Sequence, residues 1–135
     1  MDYAPYGDLC QLINKTPVLQ NDEVLLRTMF HQIIDGIEYL HDNDMAHLDI
    51  KGENVLIGKG FHCQLCDFDF CFSEEGEKIS GRGTPVFRCP ELMDESKHID
   101  PKKADIFSAG ILLFTMKFKI FPYLENGPVG RFNLQ

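Results

Sequence analysis

Four polar side chains near the middle of the chain have the chemistry that phosphoryl transfer needs. They lie in the stretch His47-Leu-Asp-Ile-Lys-Gly-Glu-Asn54 and at Asp67, thirteen residues beyond Asn54. A carboxylate such as Asp49 can orient an attacking hydroxyl, and the ammonium of Lys51 can neutralise phosphate charge. Asn54 and Asp67 offer the oxygen ligands that Mg²⁺ prefers. The order of these residues therefore predicts a site for a magnesium-bound phosphate.

Regular elements are predicted on both sides of this stretch. Between Asn21 and His41, apolar residues recur at spacings of four, three, four and three, as in the buried stripe of a long amphipathic helix: Leu26, Phe30, Ile33, Ile37 and Leu40. After the stretch, Val55-Leu-Ile57 and His62-Cys-Gln-Leu-Cys66 are short β-prone segments separated by Gly58-Lys-Gly60. This pattern predicts a small hairpin. The polar stretch should therefore connect a helix to a hairpin.

The second half of the chain is predicted to form a long loop and a second helix. Residues from Ser73 to Arg88 are polar and rich in glycine, which predicts an exposed loop. Loops of this length are uncommon unless they are functional. Asp100 and Pro101 are typical of a helix start, and this helix should run to about Lys117. It is apolar nearly all round, which predicts burial. The tail from Gly127 to Gln135 shows no useful periodicity.

Composition limits the class of protein. The 135 residues suit one domain or part of one. A hydrophobic content of 44% indicates a globular protein, and a net charge of −8 disfavours nucleic acid or an anionic membrane as a partner. The longest nearly apolar run, residues 106–116, is shorter than the roughly 20 residues that span a bilayer. The first residues lack the basic and apolar regions of a secretion signal. Five cysteines suit a reducing cytosol or nucleus.

Three other patterns are interpreted as structural. Cys63 and Cys66 lack the second pair that a zinc site needs, and strand alternation explains them. The segment Asp42-Asn-Asp44 begins like a calcium loop but lacks the required glycine. His31 and His41 lie on the predicted long helix and are interpreted as surface or packing residues rather than ligands.

The polar stretch and the segments after it resemble motifs of the eukaryotic protein kinase family. His47 to Asn54 resembles the catalytic loop H-R-D-x-K-x-x-N, with Leu48 in place of arginine. Asp67-Phe-Asp69 resembles D-F-G, with Asp69 in place of glycine. Gly83-Thr-Pro-Val-Phe-Arg-Cys-Pro-Glu91 resembles G-T-P-x-Y-x-A-P-E. Lys102 to Gly110 resembles the start of the central buried helix, D-x-W/F-S-x-G. Lys51 and the Thr84-Pro85 pair are similar to the serine/threonine class rather than the tyrosine class.

The resemblance implies a role for each polar residue of the site. Asp49 and Lys51 would be catalytic, the first orienting the hydroxyl and the second steadying the phosphate. Asn54 and Asp67 would hold Mg²⁺. Thr84 would form a hydrogen bond near Asp49 and Lys51. In addition, Asp105 would bind the backbone of the catalytic loop.

The resemblance also implies a nucleotide site at the start of the chain. Met1 to Leu9 looks like the hinge between the two lobes of the family's fold. Backbone groups of Asp2 and Ala4 would meet adenine, and Asp8 would lie beside the ribose. The carbonyl of Glu53 and the side chain of Leu56 would complete this side of the site.

On this basis residues 1–135 are expected to form a partial protein kinase domain. The expected fold is mainly α, of the α+β kind: the large lobe, helical with a small hairpin, and with the N-terminal lobe absent. The expected function is transfer of the ATP γ-phosphate to a serine or threonine hydroxyl of a protein, with ATP and Mg²⁺ as cofactors, in the cytoplasm or nucleus. Leu48 replaces the arginine that pairs with a loop phosphate in the family, so activity should not rely on that phosphate.

A second interpretation is an inactive, truncated kinase or pseudokinase that acts as an interaction module. The four intact polar residues favour the enzyme. Leu48, Asp69 and the missing small lobe favour the alternative. The apolar helix at residues 106–116 would lack the neighbours that cover it in the family. Its exposed surface would then favour self-association or binding of a partner.

Overall fold

The computed structural model describes residues 7–69, 71–73, 79, 82–93 and 99–122. Their regular elements are α1 (Leu9–Lys15), α2 (Val18–Asn21), α3 (Glu23–Asp42), β1 (Val55–Ile57), β2 (Cys63–Leu65) and α4 (Pro101–Phe118). Short 3-10 turns occur at Gly52–Asn54, Lys59–Phe61, Pro85–Phe87 and Pro90–Met93. The prediction of a mainly helical fold with a small hairpin is confirmed. None of the helices in the described ranges has the length and apolar character needed to cross a membrane.

Helix α3 forms the support on which the hairpin lies. Its start is fixed by Asp22, whose Oδ1 accepts a hydrogen bond from the Leu25 amide at 3.0 Å. Its buried side consists of Leu26, Met29, Ile33, Ile37 and Leu40. Met29 thus takes the predicted place of Phe30, which is only partly buried. A spacing of three then four residues after Leu26 follows the same helical period, so the sequence pattern allowed either residue.

Strands β1 and β2 pair antiparallel, with Val55 opposite Leu65 and Ile57 opposite Cys63. The predicted hairpin is therefore confirmed, with a second strand shorter than expected. The hairpin is tied to α3 because the Cys63 amide donates to Gln32 Oε1 at 2.6 Å. Gly36 allows this approach, since a Cβ at that position would lie 3.2 Å from Leu65 Cδ1.

Helix α4 packs against α2 and α3 along one side. Asp100 caps its start, and the Lys119 amide closes its end with a hydrogen bond to Thr115 O at 2.9 Å. The predicted bounds are confirmed to within a residue. The prediction of burial all round is wrong, because Ile106 and Phe118 are 55% and 56% exposed. The described neighbours cover only one side of the helix, so part of its apolar surface is exposed.

The predicted loop from Ser73 to Arg88 lies partly outside the described residues, which exclude 74–78 and 80–81. The described part is less exposed than expected, because Ile79 and Phe87 are buried. Phe87 joins the main core. Ile79 belongs to a smaller apolar group, called the second cluster here: Ala46, Leu48, Ile79, Cys89, Leu92 and Ala104. The tail from Gly127 to Gln135 lies outside the described residues.

Leu112 tests whether α4 is an integral part of the core. Its side chain is fully buried, whereas Ile106 on the same helix is largely exposed. We expect Leu112→Ala to lower the free energy of unfolding by about 2–5 kcal/mol. Ile106→Ala removes a side chain of the same size and should cost about 0.5 kcal/mol or less. Urea denaturation of both variants measures the difference, and equal losses would contradict this packing.

Candidate active site

The backbone of the loop from His47 to Asn54 is held in place by the carboxylate of Asp105 on α4. Asp105 is 0% exposed, and its two oxygens accept hydrogen bonds from the amides of His47 and Leu48, each at 2.8 Å. Leu48 has φ +65°, a left-handed conformation that costs an ordinary residue roughly 1–2 kcal/mol. The predicted contact between Asp105 and this loop is therefore confirmed. Its hydrogen bonds stabilise a strained residue immediately before Asp49.

His47 connects this loop to the segment that carries Asp67. Its Nδ1 accepts a hydrogen bond from the Asp49 amide at 3.1 Å, and its Nε2 lies 2.8 Å from Cys66 O. Because Nδ1 acts as an acceptor, the ring proton is assigned to Nε2, which donates to the carbonyl. The imidazole thereby fixes the backbone on both sides of the site. The sequence placed His47 in the motif but gave it no role.

Asp49, Lys51 and Thr84 form a connected polar group. Asp49 is 4% exposed, and its Oδ1 accepts hydrogen bonds from the Thr84 amide at 3.0 Å and from Thr84 Oγ1 at 2.8 Å. Lys51 Nζ donates to Thr84 Oγ1 at 2.8 Å and lies 3.8 Å from Asp49 Oδ2. The predicted hydrogen bonds of Thr84 with both residues are confirmed. The loop from His47 to Asn54 and the segment from Gly83 to Glu91 thus meet at one carboxylate.

Asn54 completes this polar group. Its buried side-chain nitrogen donates to Asp49 O at 2.8 Å and to Asp49 Oδ2 at 3.1 Å. Both partners are acceptors, which fixes the orientation of the amide. The amide oxygen therefore points away from Asp49. An oxygen presented in this way fits a hard cation such as Mg²⁺.

Asp67 follows Asn54 by thirteen residues. Within the described ranges it forms no hydrogen bond with Asp49, Lys51 or Asn54. The amide of its neighbour Cys66 donates to Asn54 O at 2.9 Å, which holds the two segments together. Asp67 is exposed and has φ +59°. Its Oδ1 accepts a hydrogen bond from the Asp69 amide at 3.3 Å. The left-handed position is thus Asp67 itself and not Asp69, so the aspartate in place of glycine causes no backbone strain here.

The predicted nucleotide residues are only partly described. Asp2 and Ala4 lie outside the described residues. Asp8 forms an antiparallel bridge with Leu56, next to a hydrogen bond from the Ile57 amide to Gly7 O at 2.8 Å. Residues 7 and 8 are therefore joined to β1.

The side chains around Asp8 form an acidic corner. Asp8 Oδ1 accepts a hydrogen bond from the Gln11 amide at 2.8 Å and caps α1. Glu53 is exposed on the neighbouring 3-10 turn. Burial raises the pKa of Cys10 to about 11, and the hydrogen bond and charge of Glu53 and the charge of Asp8 add to this effect. The thiol is therefore neutral near pH 7, while one oxygen of Asp8 is already used by the helix.

The sequence interpreted His41 as a surface or packing residue, and the structure adds a hydrogen bond that this interpretation did not include. Its Nε2 lies 2.9 Å from Asp105 Oδ2, so it joins the group that holds the loop. The pattern of apolar residues on α3 gives no sign of this contact, because it joins residues 64 positions apart. The position of His41 in the last turn of α3, just before the polar stretch, is the only sequence signal that points toward the site.

Leu48 faces away from the polar group and into the second cluster. Its side chain is 5% exposed and shares this cluster with Ile79, Cys89 and Leu92. The segment from Gly83 to Glu91 is thus attached to the loop by apolar packing on one side and by Thr84 on the other.

Gly83 tests how closely these two segments must approach. It has φ +88°, and a Cβ at this position would collide with Leu48 O. Gly60 has a similar φ of +68°, but a Cβ there would contact nothing within 4 Å. Both alanine variants should lose about 1–2 kcal/mol of unfolding free energy from the left-handed backbone. Gly83→Ala should lose about 1–3 kcal/mol more, because the collision adds to the strain. Chemical denaturation measures this difference, and equal losses in the two variants would show that the close approach does not exist.

Comparison with known proteins is consistent with this geometry. The family model described as the protein kinase domain matches residues 1–132. The chain is 35% identical to testis-specific serine/threonine-protein kinase 1 of Homo sapiens, over 93% of this chain and 35% of that protein. It is 32% identical to maternal embryonic leucine zipper kinase of Danio rerio, over 93% of this chain and 19% of that protein. It is 32% identical to CBL-interacting protein kinase 26 of Oryza sativa subsp. japonica, over 93% of this chain and 26% of that protein.

The chain spans about a third or less of the length of these relatives. The match nevertheless includes the polar stretch, the hairpin, the segment around Thr84 and helix α4. The family model and the polar group around Asp49 lead to the same conclusion: the chain belongs to the protein kinase family.

Proposed function

We propose that this protein is a serine/threonine kinase that transfers the γ-phosphate of ATP to a hydroxyl of a protein substrate. The observation that carries the proposal is the polar group in which Thr84, Lys51 and Asn54 all contact Asp49. Such a group has no evident structural need, since it gathers polar side chains and one ammonium around a buried carboxylate. It suits a reaction in which a hydroxyl must be held in line with a phosphate.

Asp49 would orient the hydroxyl of the substrate by accepting its hydrogen bond. Thr84 occupies one of its oxygens with two hydrogen bonds, which fixes the carboxylate plane. Lys51 lies close enough to offset the negative charge of Asp49 and could donate to a phosphate oxygen from the same position. The reaction would then depend on positioning and on charge stabilisation rather than on covalent chemistry.

The donor set of Asn54 and Asp67 fits Mg²⁺. The amide oxygen of Asn54 is oriented by the hydrogen bonds of its nitrogen, and Asp67 supplies an exposed carboxylate. When bound, the cation would neutralise charge on the phosphates. Asn54 would hold it through one neutral oxygen and Asp67 through a charged one. Both are hard oxygen ligands, as this ion requires.

The nucleotide would lie against the start of the chain and β1. In this proposal Asp2 and Ala4 meet the adenine through their backbone, Asp8 lies beside the ribose, and Glu53 and Leu56 complete the site. The bridge between Asp8 and Leu56 supports the proposal, because it brings two of these residues together. Within the described residues the second oxygen of Asp8 has no hydrogen-bond partner, so it can accept a hydrogen bond from a ribose hydroxyl.

We assign residues 1–135 to the large lobe of a kinase domain. A complete nucleotide cleft in this family also needs a small lobe. Because the chain spans about a third or less of the length of its relatives, activity is best measured on the longest form of the protein. A reducing compartment, the cytoplasm or the nucleus, agrees with the five free cysteines.

The proposal extends to how the segment after Gly83 is held. Leu48 lies in the second cluster with Ile79 and Leu92, so burial of apolar side chains attaches this segment to the loop. The arginine that the family has at this position pairs with a phosphate on the segment. Here the apolar packing of Leu48 holds the segment instead, and this packing needs no phosphorylation. Activity should therefore not depend on phosphorylation of the segment.

The catalytic roles are tested by replacing each carboxylate with its isosteric amide. We expect Asp49→Asn and Asp67→Asn to lower the rate of phosphate transfer to a serine peptide by roughly 10²–10⁴-fold. Asp35→Asn, on the exposed side of α3, should leave the rate unchanged. Transfer of labelled phosphate from ATP measures all three. No transfer by the wild-type protein would favour the inactive interaction module.

The role of Leu48 is tested by the arginine that the family has at this position. Leu48→Arg should lower the free energy of unfolding by about 3 kcal/mol or more, because it introduces an unpaired charge into an apolar cluster. Leu48→Met keeps the apolar volume and should cost less than about 1.5 kcal/mol. Treatment of the wild-type protein with phosphatase should leave its transfer rate unchanged. A rate that falls on this treatment and returns on rephosphorylation would contradict the proposal.

A further inference from the structure

The side chain of Arg88 reaches back across the 3-10 turn that separates it from Thr84. Its Nη2 donates to Gly83 O at 2.6 Å, and its Nε donates to Arg82 O at 3.0 Å. One guanidinium thus binds two consecutive carbonyls, which lie five and six residues earlier in the chain. Arg88 occupies a position that the motif G-T-P-x-Y-x-A-P-E leaves open, so no role for it follows from the resemblance.

The two contacts use the geometry that a guanidinium provides. Its N–H groups lie in one plane at fixed angles, which suits neighbouring acceptors better than a flexible ammonium does. Hydrogen bonds from a charged donor are shorter and stronger than neutral ones, and the contact with Gly83 O is of this short kind. Arg88 is half-buried, so water competes less for these carbonyls than it would on an open surface. The guanidinium therefore holds the backbone of residues 82 and 83.

The carbonyl of Gly83 and the amide of Thr84 belong to the same peptide group. The oxygen of this group accepts from Arg88, while its N–H donates to Asp49 Oδ1 at 3.0 Å. Because the group is planar, a rotation that releases the oxygen also turns the N–H away from the carboxylate. Arg88 therefore sets the direction of a hydrogen-bond donor to Asp49.

The backbone at Gly83 explains why this peptide group needs an external restraint. Glycine adopts φ +88° without steric cost, but it also leaves this conformation easily because it has no side chain that limits its backbone. A larger residue cannot take its place, since a Cβ would collide with Leu48 O. The segment must therefore use its most flexible kind of residue immediately before Thr84. The guanidinium of Arg88 supplies the restraint that glycine lacks.

We propose that Arg88 is a positioning residue for Asp49, acting through the peptide group between Gly83 and Thr84. The amide and Oγ1 of Thr84 both donate to Asp49 Oδ1, so the orientation of the carboxylate depends on this peptide group. The effect of Arg88 on catalysis rests on the proposed kinase function. Its effect on the backbone at Gly83 does not.

Two substitutions of Arg88 separate the planar fork from the space that the side chain fills. Arg88→Met keeps an unbranched stem but removes every N–H donor. Arg88→Lys keeps the charge on a single ammonium, which cannot span both carbonyls as a planar fork does. Arg27→Met, on the exposed side of α3, is the matched control for loss of a surface arginine. Ile33→Val, in the core of α3, is the control for a general loss of stability.

The first readout is NMR of the full chain, with hydrogen exchange followed at single amides. In Arg88→Met, the Thr84 amide should exchange at least about tenfold faster, as expected for local opening, while amides of α3 keep their rates. The carbonyl carbon of Gly83 should shift to lower frequency, because a hydrogen bond on its oxygen deshields it. Arg88→Lys should give an intermediate exchange rate, and Arg27→Met should match the wild type. Unchanged exchange at Thr84, or an increase spread over the chain as in Ile33→Val, would overturn the inference.

The second readout is the steady-state kinetics of the longest form of the protein. Arg88→Met should lower kcat about tenfold and leave the KM for ATP within about twofold, because the proposed nucleotide residues are not changed. Arg88→Lys should recover part of kcat, and Arg27→Met should match the wild type. A loss of kcat in Arg88→Met no larger than that in Ile33→Val would overturn the positioning role. An inactive wild-type protein whose Thr84 amide responds as predicted would refute the kinase function but support the action of Arg88 on the peptide group.

Discussion

The hydrogen bonds of the Asp105 carboxylate are the constraint on which the candidate site depends. They join the buried side of α4 to the backbone of His47 and Leu48, and they hold Leu48 in a left-handed conformation. A carboxylate fully removed from water is stable only when its oxygens are satisfied. The site is therefore positioned by a rigid helix in the core. The cost of the left-handed backbone at Leu48 is offset by the hydrogen bonds of the Asp105 carboxylate, which is itself held in place.

Short connections lead from Leu48 to the polar group around Asp49. Asp49 comes directly after Leu48, and Thr84 reaches it because Gly83 can pass close to Leu48 O. His47 links the same loop to the segment of Asp67 through Cys66 O. The hairpin packs on α3, and together they support these segments. The backbone and the side chain of Leu48 serve different purposes. Its left-handed backbone leads into the site at Asp49, while its side chain packs in the second cluster.

The sequence predicted those features that depend on local chemistry. The cap at Asp100 and the apolar period of α3 predicted the two long helices, and the glycine-containing connection predicted the hairpin. The contacts of Thr84 and Asp105 were expected from the motif alone and are present. The sequence could not distinguish Met29 from Phe30 in the buried stripe, because both fit the helical period. It missed the contact of His41 with Asp105, because residues far apart in the chain meet only through the packing of α3 against α4. It also overestimated the burial of α4, since periodicity describes a helix and not the neighbours that cover it.

The most direct test of the central claim is to identify the amino acid that receives phosphate when the longest form of the protein is incubated with magnesium-ATP and a peptide library. Mass spectrometry of the products should find phosphate on serine and threonine hydroxyls, and none after Asp49 is changed to asparagine. Phosphate confined to tyrosine, or ADP formed without any phosphorylated peptide, would contradict the proposal that Asp49 orients a serine or threonine hydroxyl for phosphate transfer.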